Sequence, residues 1–179
     1  MSAMFAMRWR LKALKYALRA LPLRDLAYLV NVFPKMVACG EHVLPEEAAP
    51  GVSFEEASRP LPIYEVFAPG SWSPADRERL AGYRMIGSDG AGNPICIEQG
   101  TGAVVLVDHE DWFHTRQFIN SSVRQLADCL LAYMGENDAA RFRSAVQAID
   151  PAALAEESFW GTKRPALGDR PNWPPLPAD

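Results

Sequence analysis

Over much of the chain the apolar residues recur at intervals that name the element they belong to. From Met4 to Leu21 the residues Phe5, Trp9, Leu11, Leu14, Ala17, Leu18 and Leu21 fall at helical spacing with basic residues between them, which predicts an amphipathic helix ended by Pro22. A shorter helix is expected from Arg24 to Val32, stopping near Pro34. Between Pro34 and Pro74 no period is sustained, and Pro, Gly and Glu are dense. That stretch reads as a long ordered connection, pinned to the body by Val52, Phe54, Leu61, Ile63, Tyr64 and Phe67. Ser73-Pro74-Ala75-Asp76 then has the chemistry of an N-cap with Pro at the first helical position, predicting a short helix to Leu80.

The pattern changes after Gly82. "GYRMIGSD", "GNPICIEQ" and "GAVVLVDHE" are three β-type runs separated by "GAG" and "GTG", the pattern of a tight antiparallel meander. In the second run Ile95 and Ile97 alternate with Cys96 and Glu98, so one face is expected in the core and the other partly exposed. Val104 to Val107 is apolar on both faces, as a central strand covered on both sides would be. In the turn "GSDGAGN", Gly90 and Gly92 are expected at positive φ, with Asp89 and Asn93 bonding to local backbone.

Asn120, Ser121 and Ser122 offer oxygen acceptors at the start of a helix, and Ser122 with Gln125 fits a capping box. Val123, Leu126, Ala127, Leu130, Leu131 and Met134 recur at three and four, which predicts a core-facing helix closed by Gly135. A second helix runs from Asp138 to Ile149, and Asp150-Pro151 opens a short segment toward Trp160. From Gly161 the chain is Pro-rich and reads as extended. The organisation expected is one domain: basic helices over 1–34 packed on an α+β body over 35–160, with a tail over 161–179.

Charge adds an asymmetry. Residues 1–36 hold seven Lys and Arg against one Asp, a net +6, so the net −4 of the 179-residue chain leaves −10 for the remainder. An acidic body repels nucleic acid and steers basic partners toward itself, so a basic protein is the expected partner and direct nucleic-acid binding is not. The N-terminal helix is read as a docking helix with solvated basic residues, in preference to a membrane-surface helix. No run reaches the roughly 18 apolar residues of a membrane span, and the basic residues interrupt any signal-peptide core, so a cytoplasmic location is expected. Three cysteines, Cys39, Cys96 and Cys129, form no CxxC pair and are an odd number, which suits a reducing compartment and buried structural thiols.

Candidate chemistry is sparse. His109 and His114 lie with Asp108, Glu110 and Asp111 in "DHEDWFH", but the spacing matches no metal motif and reads as a solvated strand end, leaving a small metal-dependent hydrolase as the disfavoured alternative. Neither the cysteines nor the glycine-rich turn has the context of a nucleophile or a nucleotide cradle, so neither a catalytic set nor a cofactor is expected. Trp112 and Phe113 sit amid these acids, as core residues or as interface anchors.

Taken in order, the "IGSDG" strand and turn, the "PICIE" strand, the "GAVVLVDHE" strand, the "NSS" cap with its apolar helix and "DPAALAEESFW" resemble the SUKH superfamily, particularly its bacterial immunity proteins, over roughly Gly82 to Trp160. The resemblance implies an α+β fold with a curved, largely antiparallel sheet flanked by N-terminal and C-terminal helices. It also implies a role in bacterial toxin-immunity systems, neutralising a toxin such as a nuclease or deaminase; the alternative is a non-immunity scaffold or regulatory module of the same fold. It brings no catalytic residues, metal or cofactor. A binding surface on the sheet and adjoining loops would include Asp89, Asn93, Glu98, Asp108, His109, Glu110, Asp111 and Trp112.

Overall fold

In the computed structural model, residues 36–48, 51–57, 59–67, 72–136 and 138–162 are described; the two expected N-terminal helices and the tail beyond Thr162 lie outside them. The stretch expected to be a long irregular connection is instead built of short strands. β1 (Met36–Cys39) and β2 (His42–Pro45) form a separate hairpin, and β3 (Glu47–Ala48), β4 (Val52–Phe54) and β5 (Leu61–Pro62) all join the main sheet. These strands are two to four residues long and are interrupted by Pro, Gly and Glu, so no alternation sets them apart from loop. Of the pinning residues, Val52, Phe54 and Ile63 are buried and Tyr64 and Phe67 are partly so, but Leu61 is exposed. Its strand borders only β6, and the side chain is left facing outward.

A four-residue helix, α1 (Ile63–Val66), and α2 (Pro74–Leu80) follow; in α2 the Ser73 Oγ accepts from Asp76 N and Pro74 opens the helix as expected. The meander is β6 (Tyr83–Asp89), β7 (Pro94–Glu98) and β8 (Val104–Val107), to which β9 (Arg116–Asn120) adds a strand the sequence reading did not assign. The order is β3-β4-β6-β7-β8-β9 with β5 also on β6, and every strand pairing is antiparallel. Gly87 is where β4 crosses closest to β6: a Cβ there would lie 2.2 Å from the Ser53 carbonyl oxygen and 2.7 Å from the Phe54 ring, so no other residue fits.

Both faces of this sheet are buried. On one, Ile86, Ile95, Val104 and Ile119 meet Leu126, Leu130 and Leu131 of α3 (Val123–Gly135), Phe142 and Val146 of α4 (Ala139–Ile149), and Trp160 of α5 (Phe159–Thr162). Leu44 of the hairpin joins the same cluster. On the other face Cys96, Val105 and Val107 meet Ile63, Trp72, Leu80 and Phe113. The face of β7 expected to be partly exposed is therefore covered at Cys96 by α1, α2 and the chain around Trp72. Among the described residues, no helix is long and apolar enough to cross a membrane.

The caps of α3 and α4 follow their sequences, with Ser122 accepting from Gln125 N and Asp138 from Arg141 N. Gln125 reaches back to the cap, its Oε1 accepting from the Ser122 hydroxyl at 2.7 Å, and departs from the expected box in that its side-chain amide donates to the Ile149 carbonyl at 3.2 Å. Asn120 departs further. It is fully buried and joins a polar knot around Asp150, itself 2% exposed. The Asp150 carboxyl accepts from Asn120 Nδ2 at 3.0 Å, Ser121 N at 2.7 Å and Ser121 Oγ at 2.9 Å, while Asn120 Oδ1 accepts from Trp160 Nε1 at 3.0 Å. A 3-10 turn (Pro151–Leu154) leads from Asp150 to α5, so Gly161 lies within a short helix where the extended tail was expected to begin.

All three thiols are free and buried. Burial, with Glu55 and Glu56 adding repulsion, pushes the Cys39 thiol from its ordinary 9.0 up to about 11. Burial likewise pushes Cys129 up to about 12, and it raises Cys96 further still.

Three outcomes follow from this core. Leu130→Ala is expected to cost about 2 to 5 kcal/mol in denaturant unfolding, and Asp150→Ala about 2 to 4 kcal/mol because it strands buried donors. The Cys39 shift is upward, so the unfolded thiol loses its proton first: that increment of stability is complete below the ordinary 9.0 and is lost as pH rises toward about 11. Unfolding measured across this window should fall with a shallower slope in Cys39→Ala than in the parent.

Candidate functional site

With both sheet faces covered, the exposed chemistry collects where strands end. The loop from Asp108 to Thr115, joining β8 to β9, is wound on its own acids. Asp108 Oδ1 accepts from Glu110 N at 2.8 Å, Asp111 Oδ1 from His114 N at 2.9 Å, and Asp111 Oδ2 from Thr115 N at 2.9 Å. Backbone bonds from Asp108 N to Thr115 O and from Phe113 N to Asp108 O close it. Hydrogen bonding from Thr115, then from the backbone N–H of His114, holds the Asp111 carboxyl below the usual carboxylate range. These acids are turn-builders first.

The next two residues are unusual. Trp112 and Phe113 stand at φ 61 and 62, a left-handed conformation rare for bulky side chains and here adopted twice in succession. The effect is to split the aromatic pair that the sequence left undecided. Phe113 is buried, 5.2 Å from the Phe67 ring and 5.6 Å from Trp72. Trp112 is 66% exposed and meets the core only edgewise, its ring centroid 5.9 Å from that of Trp72.

The turn between β6 and β7 is tied to this loop. Asp89 Oδ1 accepts from Ala91 N and Asn93 N, both at 2.9 Å, as local turn chemistry requires. Of the two glycines expected at positive φ only Gly92 adopts it, at 90, because the Asp89 carboxyl already organises the first half of the turn. Asn93 was expected to bond locally, yet its Oδ1 reaches across to His109, accepting from the backbone N at 3.1 Å and from ring Nδ1 at 2.8 Å. Its Nδ2 donates back to Asp89 Oδ2 at 3.2 Å. Asp89, Asn93, Asp108, His109, Glu110, Asp111 and Trp112 thus belong to one assembly of two adjoining loops.

Glu98 does not. It lies at the opposite end of β7, some ~13 Å along the strand at the usual rise per residue, where it forms an ion pair with Arg116 and accepts from Thr101 Oγ1 at 2.7 Å. Arg116 also donates to the Tyr83 hydroxyl at 3.1 Å, and that bond, followed by the Glu98 charge, raises its pKa. Glu98 is thereby neutralised within the protein.

Sequence reasoning overlooked Arg79 and Trp72, which support the loop from α2 and from the chain just before it. Arg79 contacts residues 33 and 34 positions away in sequence, a separation at which no local pattern speaks. Among the described residues no group of three or more His, Cys, Asp or Glu is placed to hold a metal ion.

What the assembly offers chemically is an exposed, edge-anchored indole beside carboxylates on a hydrogen-bonded support. That suits recognition of a protein surface. Neither a curated protein nor a solved structure matches the chain. A family model described as SUKH-4 immunity protein does match, over residues 40–164. That span takes in every element from the turn after β1 to the end of α5, both loops of the site among them, and the chain belongs to the SUKH-4 immunity protein family.

Proposed function

We propose that this protein neutralises a toxin by binding it through the paired loops Asp89–Asn93 and Asp108–Trp112, and that the toxin is a nuclease or deaminase whose basic nucleic-acid groove is the surface covered. Membership of an immunity family supports a toxin partner. The observation that carries the choice of surface is Trp112, a large apolar ring two-thirds exposed on a loop cross-linked by hydrogen bonds. A free monomer gains nothing by exposing such a ring, whereas an interface gains an anchor of low conformational entropy.

Charge supports the basic partner. The chain outside residues 1–36 carries −10, and Glu110 is exposed on the loop. Toxins acting on nucleic acid present Lys and Arg to phosphate, and an acidic rim steers such a surface into contact while the indole accepts a cation over its face. Glu98, paired with Arg116 and remote from Trp112, is a secondary part of this surface if the toxin extends along β7.

Kinetics with the cognate toxin domain separate the two roles. Glu110→Lys leaves the turn bonds of Asp108 and Asp111 intact and is expected to slow association on the order of tenfold at low salt, the effect shrinking at high salt. Trp112→Ala should accelerate dissociation while changing stability by no more than about 1.5 kcal/mol, the range of a single aromatic edge contact. Unchanged association and dissociation rates for both variants, folded by circular dichroism, would remove this surface from the interface.

A further inference from the structure

Two successive bulky residues do not remain left-handed without something to hold them. The holding group is on α2. Arg79 Nη1 donates to the Phe113 carbonyl at 2.6 Å, and Nη2 donates to the Trp112 carbonyl at 3.1 Å and to Asp76 Oδ1 at 3.2 Å. Asp76 is set in turn by the N-cap: Ser73 Oγ donates to its Oδ2 at 2.6 Å and accepts from its backbone N at 3.1 Å. Hydrogen bonds from Ser73, then Arg79, hold the Asp76 carboxyl below its usual range. Ser73, Asp76 and Arg79 are three apart, so they share one side of the helix and form a relay ending on the two carbonyls.

We infer that Arg79 is the positioning residue of the binding surface: its guanidinium fork clamps the Trp112 and Phe113 carbonyls, keeps both residues left-handed, and so presents the Trp112 indole to the partner. The guanidinium serves two carbonyls and a carboxylate at once through donors held in a fixed planar fork, a geometry that the compact ammonium of Lys does not reproduce. With the clamp gone, the loop relaxes toward ordinary φ values, Phe113 loses its fixed seat between Phe67 and Trp72, and the fraction of molecules ready to bind falls. Apparent affinity falls with that fraction. The binding arm of this inference rests on the surface proposed above; the structural arm does not.

Full-length Arg79→Ala and Arg79→Lys are compared with the parent by NMR and by binding to the cognate toxin domain. A left-handed φ gives a strong intraresidue amide-to-α NOE, and the parent should show it at both Trp112 and Phe113. Arg79→Ala is expected to lose both signals while the Val123–Gly135 helix keeps its own NOE pattern, and to associate about tenfold more slowly with little change in dissociation. Arg79→Lys, which keeps the charge but not the fork, should move the same way by less, and it decides the matter should the alanine variant fail to fold. Persistence of both left-handed signals in the variants overturns the clamp. Their loss with association unchanged, while Trp112→Ala still speeds dissociation, overturns positioning. Should Trp112→Ala itself leave the rates untouched, it is the surface that fails, and the NOE pattern still judges the clamp.

Discussion

Burial of the β7–β8 pair on both sides is the constraint on which the rest of the molecule depends. Val104 faces one cluster while Val105 and Val107 face another, and Ile95 and Cys96 divide in the same way. A sheet of this kind needs two coverings, and the chain supplies both. Elements after β9, joined by the β1–β2 hairpin, cover one face, and α1, α2 and the chain around Trp72 cover the other. Each covering is also fastened by polar contacts: the Asp150 knot on one side, the Arg79 relay on the other. A sheet closed above and below then has only strand ends and edges to offer a partner, and the richest strand end carries Trp112.

The Asp150 knot gives a physical reason for several features that travel together in the sequence. Asn120 ends β9 and Ser121 follows it, Asp150 caps α4, and Trp160 lies in α5, so four residues dispersed over 41 positions meet at one buried carboxyl and one buried amide. Such a group is costly to bury unless each donor and acceptor is met. Here Asp150 accepts three bonds, and Asn120 both donates and accepts. The aromatic rings of Tyr133, Phe142, Phe159 and Trp160 then pack edge to face or tilted around it, with centroids 5.0 to 6.0 Å apart.

Legibility in the sequence followed element length and the range of the deciding contact. The meander declared itself through β-branched runs set off by glycine turns and α3 through thirteen residues of helical spacing, and the caps at Ser73, Ser122 and Asp138 because the bond spans three residues. The strands between Met36 and Pro62 were lost because short runs broken by Pro, Gly and Glu show no alternation, and β9 because only Ile119 and Asn120 of its five residues are buried, and one of those is polar. At the site, the turn role of Asp89 was legible through local chemistry, whereas the acids of the β8–β9 loop read as a solvated strand end and Asp108 and Asp111 instead bind the loop's own backbone N–H groups. Asn93 reaching His109, Arg79 reaching Trp112, and Glu98 paired with Arg116 depend on partners 16 to 34 residues away, where composition is silent. Which of Trp112 and Phe113 faces solvent is a matter of two φ angles, and no hydropathy scale contains them.

Whether the Trp112 loop meets the toxin, as proposed, is read most directly from the indole N–H resonances. Trp160 Nε1 is buried on Asn120 and Trp72 Nε1 is bonded to the Phe67 carbonyl at 2.7 Å, so among the described tryptophans Trp112 is the one with its ring in solvent. Titrating the labelled protein with the unlabelled toxin domain should shift or broaden the Trp112 indole signal from the first addition and protect it from exchange at saturation, while Trp160 stays in place. A saturated complex in which the Trp112 indole keeps its free position and its solvent exchange would contradict the account.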